Sequence, residues 1–492
     1  MPIRPLPTDP SLENLKKQAK HLHKATHAGE AEALALVREF HPRAQEAPAK
    51  FLLADAQLVI ARSYRFPSWA NLKQHLAIVK EFIWDPPSNP NSPDGSTVDR
   101  FLRLACLNYG NWNLSMAEEA RRLLAEHPEI TTADVYTACT VGEIGFVRDM
   151  LARSPSLANK KGGALRWEPL LYCCYSRLNS TAPGHSTLEV ARVLLKHGAD
   201  PNAGFLWRGN IPAFTALTGA FGEGEAGAHN PPHQYRDALV RLLLDAGADP
   251  NDGQALYNTG APVEVLELLF SYGLGRDKGG PWLKRMGDRI SREDTLAWEL
   301  WAAARNNRFD KVRFLVEHDV DVNRPSTDRQ RTPYQEALLA GNNQIAEYLL
   351  NHGAVQVELD EKERFVSACV AGQREEALAM LRKNTKLMEQ LGEERRSEIV
   401  HKAAESGREE AVRLVAELGF DLNAMILQRT PMHDAAWGNH VEMIKLLLQL
   451  GADPTIRDGV YNGTPLDWAE YNQQREAADY LRTVTGKPGG AL

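Results

Sequence analysis

Residues 426–458 read ILQRTPMHDAAWGNHVEMIKLLLQLGADPTIRD, and the spacing inside this stretch decides the fold. Thr430-Pro431 predicts a helix start: the threonine hydroxyl can cap free amide N–H groups, and Pro431 sits where a missing N–H costs nothing. Ala435-Ala436 is small enough for a neighbour to pack closely, and Gly438-Asn439 breaks the first helix. Val441, Ile444, Leu447 and Leu448 then recur on one face of a second helix. Gly451 closes that helix, and Ala452-Asp453-Pro454 leads into a turn. The unit is too small to bury its apolar face alone, so the question is how far it recurs along the chain.

Thr430-Pro431-Met432-His433-Asp434-Ala435 resembles the T-P-L-H-x-A core of the ankyrin repeat. Related signals appear at Thr332-Pro333, at Thr464-Pro465-Leu466-Asp467-Trp468-Ala469, and in the repeat endings His197 to Asn202 and Ala246 to Asn251. The resemblance implies an all-α ankyrin-repeat solenoid, with helix–turn–helix repeats and short hairpin fingers, preceded by a small helical N-terminal region. Residues 1–84 form that region, 85–97 a linker rich in Pro, Ser and Asn, and 98–486 about ten or eleven uneven repeats. The segment LADAQLVIARSYRFPSWANLKQHL resembles the leader in front of many bacterial ankyrin proteins, which implies a bacterial source. Apolar spacing along the N-terminal region predicts helices at 12–22, 31–40 and 52–64, and a fourth started by Ser68-Trp69.

Composition sets further bounds. The chain has 492 residues, 43% hydrophobic and 25% charged, with a formal net charge of −7. Such a chain has no global positive field to gather nucleic acid or an anionic membrane. Nowhere do about 18 apolar residues run together, so no membrane span is expected. The first residues contain no signal-peptide core, and the five cysteines include no C-x-x-C pair. A cytoplasmic monomer is the expectation. In the T-P-x-H core, the resemblance assigns His433 a structural bond to a neighbouring unit. Cys173-Cys174 reads as buried small apolar residues, and His21, His23 and His27 as one solvated basic helix.

The stretch 162–301 departs from the generic repeat. Gly198 and Gly247 are 49 residues apart, against roughly 33 for a plain repeat. Insertions are expected at 176–187 and 221–234, and long insertions in solenoids often serve binding. Five of the ten tryptophans lie here. The candidate ligand-binding residues are Trp167, Tyr172, Arg177, Trp207, Arg208, His229, His233 and Tyr257. Glu168, Glu223 and Glu225 are the catalytic candidates of an alternative reading, a binding protein or hydrolase for a small molecule such as a glycoside, with a glycosidase-like acid pair if it is an enzyme. Gly222, Gly224 and Gly227 spell G-x-G-x-x-G, but a run that reads as helix precedes them, and glutamates beside them would repel phosphate. His229 and His233 are separated by Pro231-Pro232, which prevents one helix from presenting both to a metal. No metal and no cofactor is expected. The favoured function is an interaction scaffold that presents a concave wall to an unidentified protein partner; the alternative requires the insertions to close a pocket over the inner helices.

Overall fold

The structure is a computed structural model that describes residues 6, 10–42, 51–92, 95–224, 227–276, 280–286, 292–326 and 330–486. It is all-α, an ankyrin solenoid in its C-terminal part, where inner and outer helices alternate from Arg292–Arg305 to Arg475–Thr485. The chain divides into two compact units, Met1–Ala261 with Val265–Arg292, and Pro262–Glu264 with Glu293–Leu492.

The opening stretch forms helices Pro431–Trp437 and Val441–Gln449. Gly451 closes the second in a left-handed conformation, φ +97°. The Thr430 hydroxyl is used differently from the expected cap: it donates to His433 Nδ1 at 2.8 Å, where the Thr430 N–H also points. His433 Nε2–H is then left to donate to the Gly463 carbonyl of the next repeat at 3.1 Å. Burial favours this neutral ring by lowering its basicity. Thr332 and Thr464 make the usual reciprocal boxes with Gln335 and Asp467.

A second device joins successive repeats. Asn202 Nδ2 donates to the Gly247 carbonyl at 3.0 Å while its Oδ1 accepts from the Asp249 N–H at 2.8 Å. Asn159 does the same with Gly198 and Asp200, and in the second unit Asn323 with Gly353 and Val355. A side-chain amide matches a backbone turn in both donor and acceptor, so one residue fixes the register of two repeats. The endings read in the sequence as turns are therefore the fasteners of the stack.

In the first unit the N-terminal region forms helices Leu12–His27, Ala31–Phe40, Leu53–Ser63 and Trp69–Phe82 around its own core of Leu15, Leu22, Val37, Val59, Phe66 and Leu72. Ser68 caps the fourth by accepting from the Asn71 N–H. Ile83–Trp84 does not continue that helix. It forms a strand, β1, parallel to β2 (Gly204–Trp207), which pairs antiparallel with β3 (Phe214–Thr215). Residues 85–92 then lie on the first repeat: Asn111 donates to the Ser88 carbonyl, and Arg103 to those of Pro90 and Ser92.

Trp84 makes this attachment specific. Its indole donates to the Leu165 carbonyl at 2.8 Å, and its ring lies 5.0 Å from Trp167 and 4.8 Å from Phe205. Trp84→Ala is expected to destabilise the first unit by about 3 kcal/mol and to make the 85–92 segment a site of rapid limited proteolysis. Thermal unfolding and mass mapping of the fragments check both.

Candidate binding surfaces

Residues 176–187 and 221–234 of the first unit meet through Arg177. This residue is buried, and its guanidinium donates to four carbonyls: Nε to Pro231 at 2.7 Å, Nη1 to Cys174 and Ser176 at 3.1 and 2.9 Å, and Nη2 to Gly219 at 2.7 Å. Cys174 and Ser176 end the inner helix Pro169–Tyr175, and Gly219 is in the last turn of the next, Ala216–Phe221. Helix ends leave carbonyls without intrahelical partners, and a cation there also meets the negative end of the helix dipole. Arg177 thus joins two inner helices and ties the first insertion to the second at Pro231.

His233 adds a parallel tie. Its Nδ1 accepts from the Tyr235 N–H at 3.1 Å, which places the proton on Nε2, 3.0 Å from Thr187 Oγ1. Burial, reinforced by the Arg177 charge, pushes His233 down to about 3, so it stays neutral. Gly222, φ +71°, allows the second insertion to fold this tightly: a Cβ there would meet the Pro231 carbonyl oxygen at 2.5 Å. The glycine run follows helix Ala216–Phe221, not a strand.

Trp167 and Tyr172 lie in the interior. Trp167 stacks on Phe205 at 5.0 Å, and the Tyr172 hydroxyl donates to the Gly162 carbonyl while accepting from the Leu165 N–H. Burial raises the Tyr172 phenol well above its ordinary range. Trp207 is half-buried, its indole donating to the Asn108 carbonyl; Arg208 is exposed and lies over the Trp207 ring. Tyr257 is 47% exposed on helix Gly253–Thr259, and His229 is half-buried in a 3-10 turn. Glu168 precedes helix Pro169–Tyr175 with Lys161 at 3.7 Å, and burial raises its carboxyl. Glu223, on left-handed backbone at φ +60°, is likewise raised by burial, with Arg236 opposing. Glu225 lies outside the described residues.

Two participants gave no sequence signal toward this site. Tyr109 reaches the Thr218 carbonyl from the first repeat and packs on Phe214 at 5.0 Å. Asp252 caps helix Gly253–Thr259, accepting from Gln254 and Ala255 N–H groups and from the Thr215 hydroxyl of β3. Burial pushes its carboxyl up to about 6 against those bonds. An Asp-Gly pair ahead of a helix is a readable cap, but not one that names Thr215.

The second unit is open where the first is closed. Its inner helices carry Glu336 and Lys402, and Glu336 Oε2 and Lys402 Nζ are both shut off from solvent without a hydrogen-bond partner. Arg331 bridges Glu336 and Glu363, and Arg408 spans repeats by donating to the Ala340 and Val370 carbonyls and to Asn342 Oδ1. Burial pulls the Lys402 amine down to about 8, with Glu336 opposing and Arg305 assisting.

Two neighbouring fingertips of the second unit expose apolar side chains: Met425 and Leu427 on one, Val460 and Tyr461 on the other. Leu427 is 76% exposed and Tyr461 80%. Leu427 and Gln428 both have positive φ, +49° and +63°, in a hairpin turn closed by Ile426 and Arg429. The second tip is held by Asp458, whose carboxylate accepts from the N–H groups of Val460, Tyr461 and Gly463 and from the Trp468 indole. Burial would raise this carboxyl, but those bonds prevail and hold it at about 2. The Gly459 N–H donates to the Gln428 carbonyl at 2.8 Å and joins the two fingers.

The ankyrin-repeat family model matches residues 291–361 and 365–458, almost wholly in this second unit. A palmitoyltransferase of Lachancea kluyveri is 40% identical over 15% of this chain and 9% of its own length. Alpha-latrocrustotoxin-Lt1a of Latrodectus tredecimguttatus is 25% identical over 36% of this chain and 10% of its own. An ankyrin repeat and KH domain-containing protein, mask-1, of Caenorhabditis elegans is 27% identical over 46% and 8%. The chain spans about a tenth or less of these relatives, and their names share no activity. Among the described residues, no helix is long and apolar enough to cross a membrane, and no group of three or more His, Cys, Asp or Glu side chains is placed to hold a metal ion.

Two variants probe this anatomy. Arg177→Met strands four carbonyls at the helix ends and is expected to cost about 3–5 kcal/mol; Arg177→Lys should not restore it, because an ammonium cannot reach four carbonyls in the guanidinium plane. Thermal unfolding of both checks this. Lys402 carries the opposite sign. Its folded pKa lies below the unfolded one, so its penalty is present in full below pH 8 and is lost as pH rises towards the ordinary lysine value of about 10.4. Lys402→Met is expected to stabilise the protein at pH 7 by roughly 1–3 kcal/mol, with a gain that shrinks between pH 8 and 10 in denaturant titrations.

Proposed function

We propose that the protein is an ankyrin-repeat scaffold that holds a protein partner against the fingertips and inner helices of its second unit. The observation that carries this reading is Leu427. A leucine in a left-handed conformation costs about 1–2 kcal/mol, and glycine or asparagine would relieve that cost at this turn and be more soluble. An apolar side chain kept there, mostly exposed, fits a contact made outside the chain. Tyr461 on the adjoining finger extends the patch, and Asp458 holds it ready, which lowers the ordering cost of binding.

The finger of the first unit offers less. Its β2 edge is already paired with β1, and Trp84 covers Trp167 and Phe205. A hydrolytic site would need two carboxyl groups about 5–10 Å apart across a shared space. Glu168 precedes the inner helix Pro169–Tyr175 and is paired with Lys161 at 3.7 Å, whereas Glu223 follows the next inner helix, Ala216–Phe221. The scaffold reading is therefore preferred.

The test is affinity capture from the source cell with the full chain and with a Leu427→Asp/Tyr461→Asp variant. Both positions are solvent-exposed, so thermal stability should be nearly unchanged. One protein recovered repeatedly on the parent and at least tenfold less on the variant supports the reading. Nothing retained, or equal retention by both, contradicts it.

A further inference from the structure

Three successive inner helices of the second unit end at Glu405, Trp437 and Tyr471. The residues stand in equivalent places: Ala403-Ala404 precedes Glu405 as Ala435-Ala436 precedes Trp437, and Ala469-Glu470 precedes Tyr471. Adjacent inner helices pack directly on one another, which puts the three residues at the ends of successive inner helices. Trp437 and Tyr471 are stacked, with centroids 6.3 Å apart and planes at 25°, and Trp468 braces Trp437 edge-on at 5.6 Å.

Glu405 is exposed and, among the described residues, makes no hydrogen bond or ion pair. The cations nearby are otherwise engaged. Arg429 is bonded to Asp434, which also takes His401 Nδ1 at 2.9 Å, and Arg305 lies over the Trp301 ring at 5.6 Å. Three features therefore favour a cation from outside. A carboxylate lacks a partner, aromatic faces attract positive charge through their quadrupole, and the exposed carbonyls of helix C-termini add negative potential.

We propose that this set of helix ends is the seat for an arginine side chain of the protein partner. The inference rests on the scaffold reading and adds the chemistry of the contact. A guanidinium can lie flat on the face of Trp437 turned away from Tyr471 while its edge meets Glu405 in a two-pronged hydrogen bond. An ammonium can do only one of these well, so arginine is preferred to lysine. The chain already uses the same pairing in the Arg305–Trp301 contact. The apolar tips and the arginine seat then divide the work: the tips supply desolvated area, and the seat fixes register.

The seat can be tested without the partner. The full chain labelled with 15N at tryptophan is titrated with N-acetyl-arginine methylamide and, separately, with the lysine and glutamine analogues, while the indole N–H signals are followed. Trp437→Phe assigns the signal. The Trp437 signal is expected to move saturably with the arginine compound in the millimolar range, less with lysine, and not with glutamine. Glu405→Gln should weaken the arginine response at least fivefold while leaving the other indole signals in place. An unmoved Trp437 signal, or an equal response in Glu405→Gln, overturns the seat. If capture through Leu427 and Tyr461 persists in that case, only the arginine seat fails; if that capture fails, the scaffold reading falls with it.

Discussion

Trp84 packs its ring against Trp167 and Phe205 and donates its indole N–H to Leu165, while its backbone pairs with Trp207. Much of the first unit follows from this contact. A hairpin finger presents apolar side chains and an unpaired strand edge, and both must be covered or remain available to another chain. Here the chain covers them itself. The fourth N-terminal helix brings Val79 and Phe82 onto Leu206 and Trp282, and residues 85–92 continue along the first repeat. The aromatic residues that make 162–301 look like a ligand site are largely the lining of that closure.

The enlarged repeats are built on the same logic. Inserting residues between an inner and an outer helix frees the carbonyls at the inner helix end, and some group has to satisfy them. Arg177 does so for two helices at once, with Pro231 as the fourth acceptor. The cost of burying a guanidinium without a carboxylate is offset by four charge-assisted bonds, each worth roughly 1.5–3 kcal/mol. The insertions meet at the ends of the inner helices, where Arg177 and His233 have internal partners, and the second unit is left to carry the exposed apolar tips.

The sequence reveals the repeat because its signals are local. Thr430-Pro431, Ala435-Ala436 and Gly451 each act within one helical turn, and Ser68-Trp69 starts a helix for the same reason. Signals that depend on distant backbone are invisible. Arg177 binds carbonyls, which every residue has, so nothing in its neighbourhood marks it as a staple. The strand at Ile83–Trp84 is two residues long and shows no alternation to read. The stretch ending at Asn202 is legible as a repeat ending, and only the packed stack shows the amides of Asn159, Asn202 and Asn323 clamping the repeat that follows. The fingertip at Leu427 could be read as an exposed turn, but not as one held at positive φ by an apolar residue. Within 162–301, residue type pointed to binding, whereas burial assigns Trp167, Tyr172, Arg177 and His233 to the interior.

The central proposal is that the two units differ in what their fingers are for: one is closed by its own N-terminal region, the other offered to a partner. Site-directed photo-crosslinking in the source cell tests this most directly, with p-benzoylphenylalanine placed at position 461, at 427 or at 208. The account predicts a common adduct from positions 461 and 427 and none from 208, where the β2 finger lies against β1. An adduct from 208 with none from 461 or 427 would contradict it.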